Sequence, residues 1–135
     1  MGDFAADVAK FGAETLKKKD LAVRKITLEV FSRVILRSPV DTGRFRGNWQ
    51  AAVGNIPSGT LELDDKSGTA TVSKAAAATM GVKAGDIIYL ANNLPYAMPL
   101  EEGHSQSQAP NGMVALTAQE FKSIVDAIGM ELVVL

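Results

Sequence analysis

The chain has 135 residues, 47% of them apolar and 21% charged, with a net charge of −1 and no cysteine. That suffices for one globular domain with its own core, and it excludes a disordered chain, a disulfide framework and any thiolate nucleophile or thiolate metal site. No apolar run approaches the length of a membrane span and no leader pattern opens the chain, so a soluble protein made in a cytoplasm is expected.

Residues 3–37 read as helix. Phe4, Val8, Phe11 and Thr15 step by three and four, as do Val23, Ile26, Val30, Val34 and Arg37, with Leu28, Phe31 and Ile35 widening the second stripe. Lys17-Lys18-Lys19-Asp20 interrupts the apolar pattern, and Asp20 is suited to cap a restart. One rod of this length would span about 52 Å, against a radius of gyration of about 14 Å for a compact domain of this size. The helix is therefore expected either to break near Lys17–Asp20 or to project its first half, residues 1–19, as an arm. A projecting apolar stripe calls for a second subunit.

The helix runs into Ser38-Pro-Val-Asp-Thr-Gly-Arg-Phe-Arg-Gly-Asn-Trp49, which reads as a corner. Pro39 biases Ser38 away from helical angles, Gly43 and Gly47 permit positive φ, and Asp41 and Thr42 can cap backbone donors. Trp49–Val53 is a strand candidate. Leu61–Leu63 and Thr69–Ser73 flank Asp64–Gly68 in a hairpin-like pattern, and alanine-rich Lys74–Met80 reads as a helix ending at Gly81. Asp86–Ala91 is the best strand. Pro95–Gly112, with three prolines and two glycines, reads as irregular. Thr117-Ala-Gln-Glu120 has the capping-box pattern and opens a final helix with Phe121, Ile124, Val125 and Ile128 on its apolar face. Met130–Leu135 is either the end of that helix or a strand added to a neighbouring edge. The fold class expected is α+β in a single domain over 1–135: a long N-terminal helix, a small mostly antiparallel β-sheet, and a C-terminal helix packed on it.

Charge divides the chain. Residues 1–49 hold 10 Lys/Arg against 6 Asp/Glu, and residues 50–135 hold 4 against 9. Such polarity fits subunits meeting basic face to acidic face better than a phosphate-binding surface. Arg33, Arg37, Arg44, Arg46 and Trp49 nevertheless make up a basic-aromatic set that a nucleic-acid-binding module would use. The duller account buries Trp49 and pairs the arginines with carboxylates of the same or a neighbouring chain.

Catalytic readings are weaker. Asp41-Thr42-Gly43 spells the aspartic-protease triplet, but Ser38-Pro39 stands where an apolar strand belongs. Glu101, Glu102 and His104 crowd into four residues without the spacing of a metal site, and Ser105 beside His104 lacks a third orienting group. No phosphate-cradling glycine loop is present. No cofactor, no metal and no enzymatic activity is expected.

Two stretches taken together resemble the tail-completion or neck proteins of long-tailed bacteriophages, the minor tail or head–tail joining group. They are Arg37–Trp49 and the later Asn92-Asn-Leu-Pro-Tyr-Ala97, Leu100-Glu-Glu-Gly103, Ser105 and Gln108-Ala-Pro-Asn-Gly-Met-Val114. The resemblance spans about residues 20–128, while residues 54–86 match nothing assignable. It implies a structural virion protein in a homo-oligomeric ring, expected as a hexamer, at the head-proximal end of the tail. Its partners would be the tail terminator and head-completion proteins, with only loose, sequence-independent contact to genome DNA in the lumen and none to membrane. On that resemblance Pro39, Asp41, Thr42, Gly43, Arg44, Arg46 and Trp49 form an interface or structural corner. Asn93, Pro95, Tyr96, Glu101, Gly103, His104, Ser105, Gln108, Pro110 and Gly112 form a contact loop.

Overall fold

The structure is a computed structural model and describes residues 2–134, with side chains described at residues 5–7 and 17–129. The first helix, α1 (Gly2–Arg37), is continuous over 36 residues, about 54 Å. It does not break at Lys17–Asp20. Lysine is a good helix former, and Asp20 caps nothing there: its Oδ1 accepts the Ala84 N–H at 2.8 Å. The Phe4, Val8, Phe11 and Thr15 side chains lie outside the described residues. In the second half Thr27, Phe31, Val34, Ile35 and Ser38 are buried, the i, i+4, i+7, i+8, i+11 spacing of one helical face.

Pro39 ends α1, and the Ser38 hydroxyl donates back to the Val34 carbonyl at 2.9 Å. After the corner come the single turn α2 (Arg44–Gly47) and the strand β1 (Gln50–Val53). The expected hairpin is absent. Its second arm is the start of α3 (Thr69–Thr79), which absorbs the alanine-rich segment as one helix. The β-favouring Thr69–Ser73 run yields because Asp65 satisfies the helix's first donors. Its carboxylate accepts from Gly68 N at 3.1 Å, Thr71 N at 2.8 Å and Thr71 Oγ1 at 2.7 Å. The first arm pairs with a side chain instead of a strand: Leu61 N–H and C=O both bond Asn48. Thr71, Ala75 and Thr79 are small and buried, which lets α3 lie close against β1 and α1.

Strand β2 (Ile88–Ala91) pairs antiparallel with β1, Gln50 opposite Ala91 and Val53 opposite Ile88, which makes the whole sheet described. Phe31, Val34, Ile35, Phe45, Trp49, Ala75, Ala109 and Met113 form one core that joins α1, the corner, α3 and the late loop. Ile35 and Met113 are fully buried, each contributing about 1.5–3 kcal/mol.

The remaining elements are α4 (Ala97–Glu101), α5 (Val114–Gln119) and α6 (Phe121–Val134). Pro95–Gly112 is therefore not wholly irregular, since α4 adds one helical turn with Pro99 in it. The capping-box reading is overturned too. Thr117 sits inside α5, buried, with its hydroxyl on the Met113 carbonyl, and Glu120 turns to arginines of α1. Helix α6 continues to Val134, so the tail's backbone is helical and not an added strand. The sequence places this helix on the sheet; its main partner is α1, and α3 is the helix lying on β1. The α+β class with a long N-terminal helix holds. Among the described residues no helix is long and apolar enough to cross a membrane.

Candidate functional site

The two motif stretches meet. The side-chain amide of Gln108 accepts the Val40 N–H at 2.7 Å and donates to the Val40 carbonyl at 3.2 Å, copying the pairing of a neighbouring strand. Asn92 donates to the Phe45 carbonyl at 2.9 Å, and Tyr96 tilts against the Phe45 ring at 6.0 Å. Between corner and loop lies an open cleft of about 300 Å³ lined by Pro39, Asp41, Thr42, Tyr96, Ser105 and Gln108.

Each corner residue has a backbone task. Gly43 sits at φ 92, and its carbonyl accepts from Gly47 N at 2.9 Å and Asp65 N at 3.0 Å. A Cβ there would meet Lys66 N at 2.6 Å and Asp65 N at 2.7 Å, so only glycine admits the passing chain. Thr42 Oγ1 accepts the Arg44 N–H at 3.2 Å, while Asp41 is exposed. Trp49 is buried edge-on to Phe45, centroids 5.8 Å apart, and its indole donates to Ser38 Oγ at 2.7 Å. Pro39 is buried beside them.

Arg46 holds the C-terminus of α1. Its guanidinium donates to the carbonyls of Leu36 (2.9 Å), Ser38 (2.8 Å) and Lys66 (2.7 Å), a cation where the helix dipole is negative. Burial pulls its pKa below the ordinary arginine value, and its Nε is buried without a partner. Arg44 pairs with Asp64 at 2.8 Å, and the hydrogen bond from Asp64 raises its pKa.

The α1 arginines are engaged elsewhere. Arg37 grips both oxygens of Glu120, at 2.6 and 2.8 Å, and donates to Thr117 Oγ1 at 3.0 Å. Arg33 bridges Glu29 at 2.8 Å and Glu120 at 3.1 Å. The Arg37 hydrogen bond, opposed by desolvation and reinforced by Arg33, pulls the Glu120 carboxyl down to about 2. These contacts pin α5 and α6 to α1. The basic-aromatic set is thus dispersed and internally paired, with Trp49 in the core.

In the contact loop, Glu101 caps α5 from outside it. Its oxygens accept from Met113 N (3.0 Å), Val114 N (2.9 Å) and Ala115 N (2.9 Å). A Cβ on Gly112 would collide with the Glu101 carbonyl, and one on Gly103 with the Pro110 carbonyl, which explains both glycines. Asn93 ties down Pro57 and Gly59 through their carbonyls at 3.0 and 2.9 Å. His104 and Glu102 are exposed, as are Pro95 and Pro110; Ser105 is half-buried, its carbonyl accepting from Ala109. With Glu101 committed to α5, the Glu101, Glu102 and His104 ligand set does not form. The described residues contain no group of three or more potential metal ligands.

Asn48 and Asp65, both buried, were not among the expected site residues. Asn48 stands inside the first motif, where its neighbours drew the reading. Asp65 carries a signal only in retrospect, as the Asp-x-x-Gly-Thr-x-Thr71 spacing that lets one carboxylate reach a helix start. No family model, curated protein or solved structure matches this chain.

Proposed function

We propose that this protein is a structural component of the virion of a long-tailed bacteriophage. It forms a homo-oligomeric ring, a hexamer, at the head-proximal end of the tail and mediates head–tail joining there. The observation that carries the reading is the lock between its two motifs. Gln108, Glu101, Asn92 and Arg46 spend their polar groups holding backbone to backbone, as an assembly scaffold requires and a catalytic site does not. Large apolar side chains stay exposed around that scaffold, among them Ile56, Met80, Ile87, Met98 and Phe121, which favours burial against other subunits. The motif wording supports the neck assignment, with the tail terminator and head-completion proteins as neighbours and genome DNA touched only loosely in the lumen.

The test is negative-stain microscopy of lysates from the encoding phage with and without this gene. Filled heads lying apart from full-length, unattached tails are the expected result. Normal particles in the absence of the gene would overturn the reading.

A further inference from the structure

An apolar groove of about 310 Å³ runs along the second half of α1, where Val23, Ile26, Val30 and Phe31 meet Ile88 and Phe121. Phe121 is 51% exposed at its rim, a large hydrophobic left half in water. The same helix carries a second apolar set in its first half. Phe4, Val8 and Phe11 recur at i, i+4 and i+7 on a backbone that is helical from Gly2. The described side chains beside that set, Ala5, Ala6, Asp7 and Lys17 to Lys19, are all exposed. Among the described residues the first bond from α1 to another element is that of Asp20 to Ala84.

Set and groove cannot meet within one chain. Val8 and Thr27 lie on one unbroken helix, about 28 Å apart along its axis, and a helix does not fold back on itself. Charge also matches. Asp3 and Asp7 stand one turn apart on the N-terminal half, while exposed Lys19 and Lys122 stand one turn from Val23 and next to Phe121. We infer that the N-terminal half of α1, residues 2–19, docks its apolar face into this groove on a second copy of the chain. The contact joins two different patches, so it propagates from copy to copy and closes as a ring when the rotation allows. This deepens the ring reading by naming the interface.

The absence of cysteine makes the test clean. Full-length Val8→Cys protein is mixed with full-length Phe121→Cys protein under mild oxidation, beside a control pairing of Val8→Cys with Ser58→Cys. Cross-linked heterodimer is expected from the first pair and not from the control. In analytical ultracentrifugation, Phe11→Asp and Phe121→Asp should each abolish the association seen for the unaltered chain while leaving the circular dichroism spectrum unchanged. Equal cross-linking in both pairings, no cross-linking in either, or association unaffected by both aspartates would overturn the docking. The ring reading fails separately, by normal particles from a phage lacking the gene. Detached heads and tails together with a failed cross-link would remove only this interface.

Discussion

Gln108 pairs with both backbone groups of Val40 across 68 residues of sequence, and through that pairing the late loop is registered on the corner that ends α1. An amide suits this task because it carries donor and acceptor side by side, the same pair that a strand offers.

Gln108→Ala removes both bonds at an exposed position, and a loss of about 1 kcal/mol in a urea melt is expected. Gln108→Glu keeps an acceptor for the Val40 N–H but sets a carboxylate against the Val40 carbonyl. It should destabilise more than alanine does at neutral pH, and an equal or smaller loss would contradict the two-bond geometry.

Gly43 and Gly59 both hold positive φ, 92 and 77, yet they differ in surroundings. An added Cβ meets backbone nitrogens at Gly43 and nothing within 4 Å at Gly59. Gly59→Ala should therefore cost only the left-handed strain of about 1–2 kcal/mol. Gly43→Ala should cost about 3 kcal/mol or more, because the 65–66 backbone must also move. Similar midpoints for the two variants in chemical denaturation would refute this account of the corner.

Ser38→Ala leaves the buried Trp49 indole N–H without an acceptor and also removes the bond to Val34. The expected loss is about 1–3 kcal/mol, with a shift in tryptophan fluorescence as the donor is orphaned. An unshifted spectrum and an unchanged midpoint would mean that the indole finds water.

Acid should weaken the fold through two carboxylates. Glu120 is held at about 2, below its ordinary 4.5, chiefly by Arg37. Burial alone would raise the pKa of Asp65, but the bonds from Thr71, Gly68 and Ser67 outweigh it and hold the group below its ordinary value. Both folded values are depressed, so the stability they contribute is fully present above the unfolded pKa and is lost as pH falls through the folded one. For Glu120 that window runs from about pH 5 down to about pH 2. Glu120→Gln should flatten the fall of the melting temperature across that window, whereas Arg44→Gln should leave its slope unchanged. A Glu120→Gln profile parallel to that of the parent chain would exclude the Arg37 pairing as the cause.

Local signals in the sequence were reliable where their causes are local. Apolar periodicity placed α1, Pro39 ended it, and alternation and β-branching placed β2 within two residues. The two motif stretches were legible as the important ones, and most of their glycines and prolines occupy the bends their chemistry calls for. The Thr69–Ser73 strand, the restart at Asp20 and the capping box at Thr117 failed for one shared reason. In each, the side chain that decides the matter bonds to a partner its immediate neighbours do not reveal.

By itself the sequence determined the helix–corner–strand order, because a prolyl ring, a glycine φ and a 3.6-residue period act over a few residues. Tertiary structure alone decided where the charges go: Arg33 to Glu120, 87 residues away, Asp20 to Ala84, and Glu101 to the start of α5. A carboxylate or guanidinium can satisfy any complementary group within about 3 Å, and which one comes that close is settled by how the core of Phe31, Ile35, Trp49 and Met113 packs the elements together.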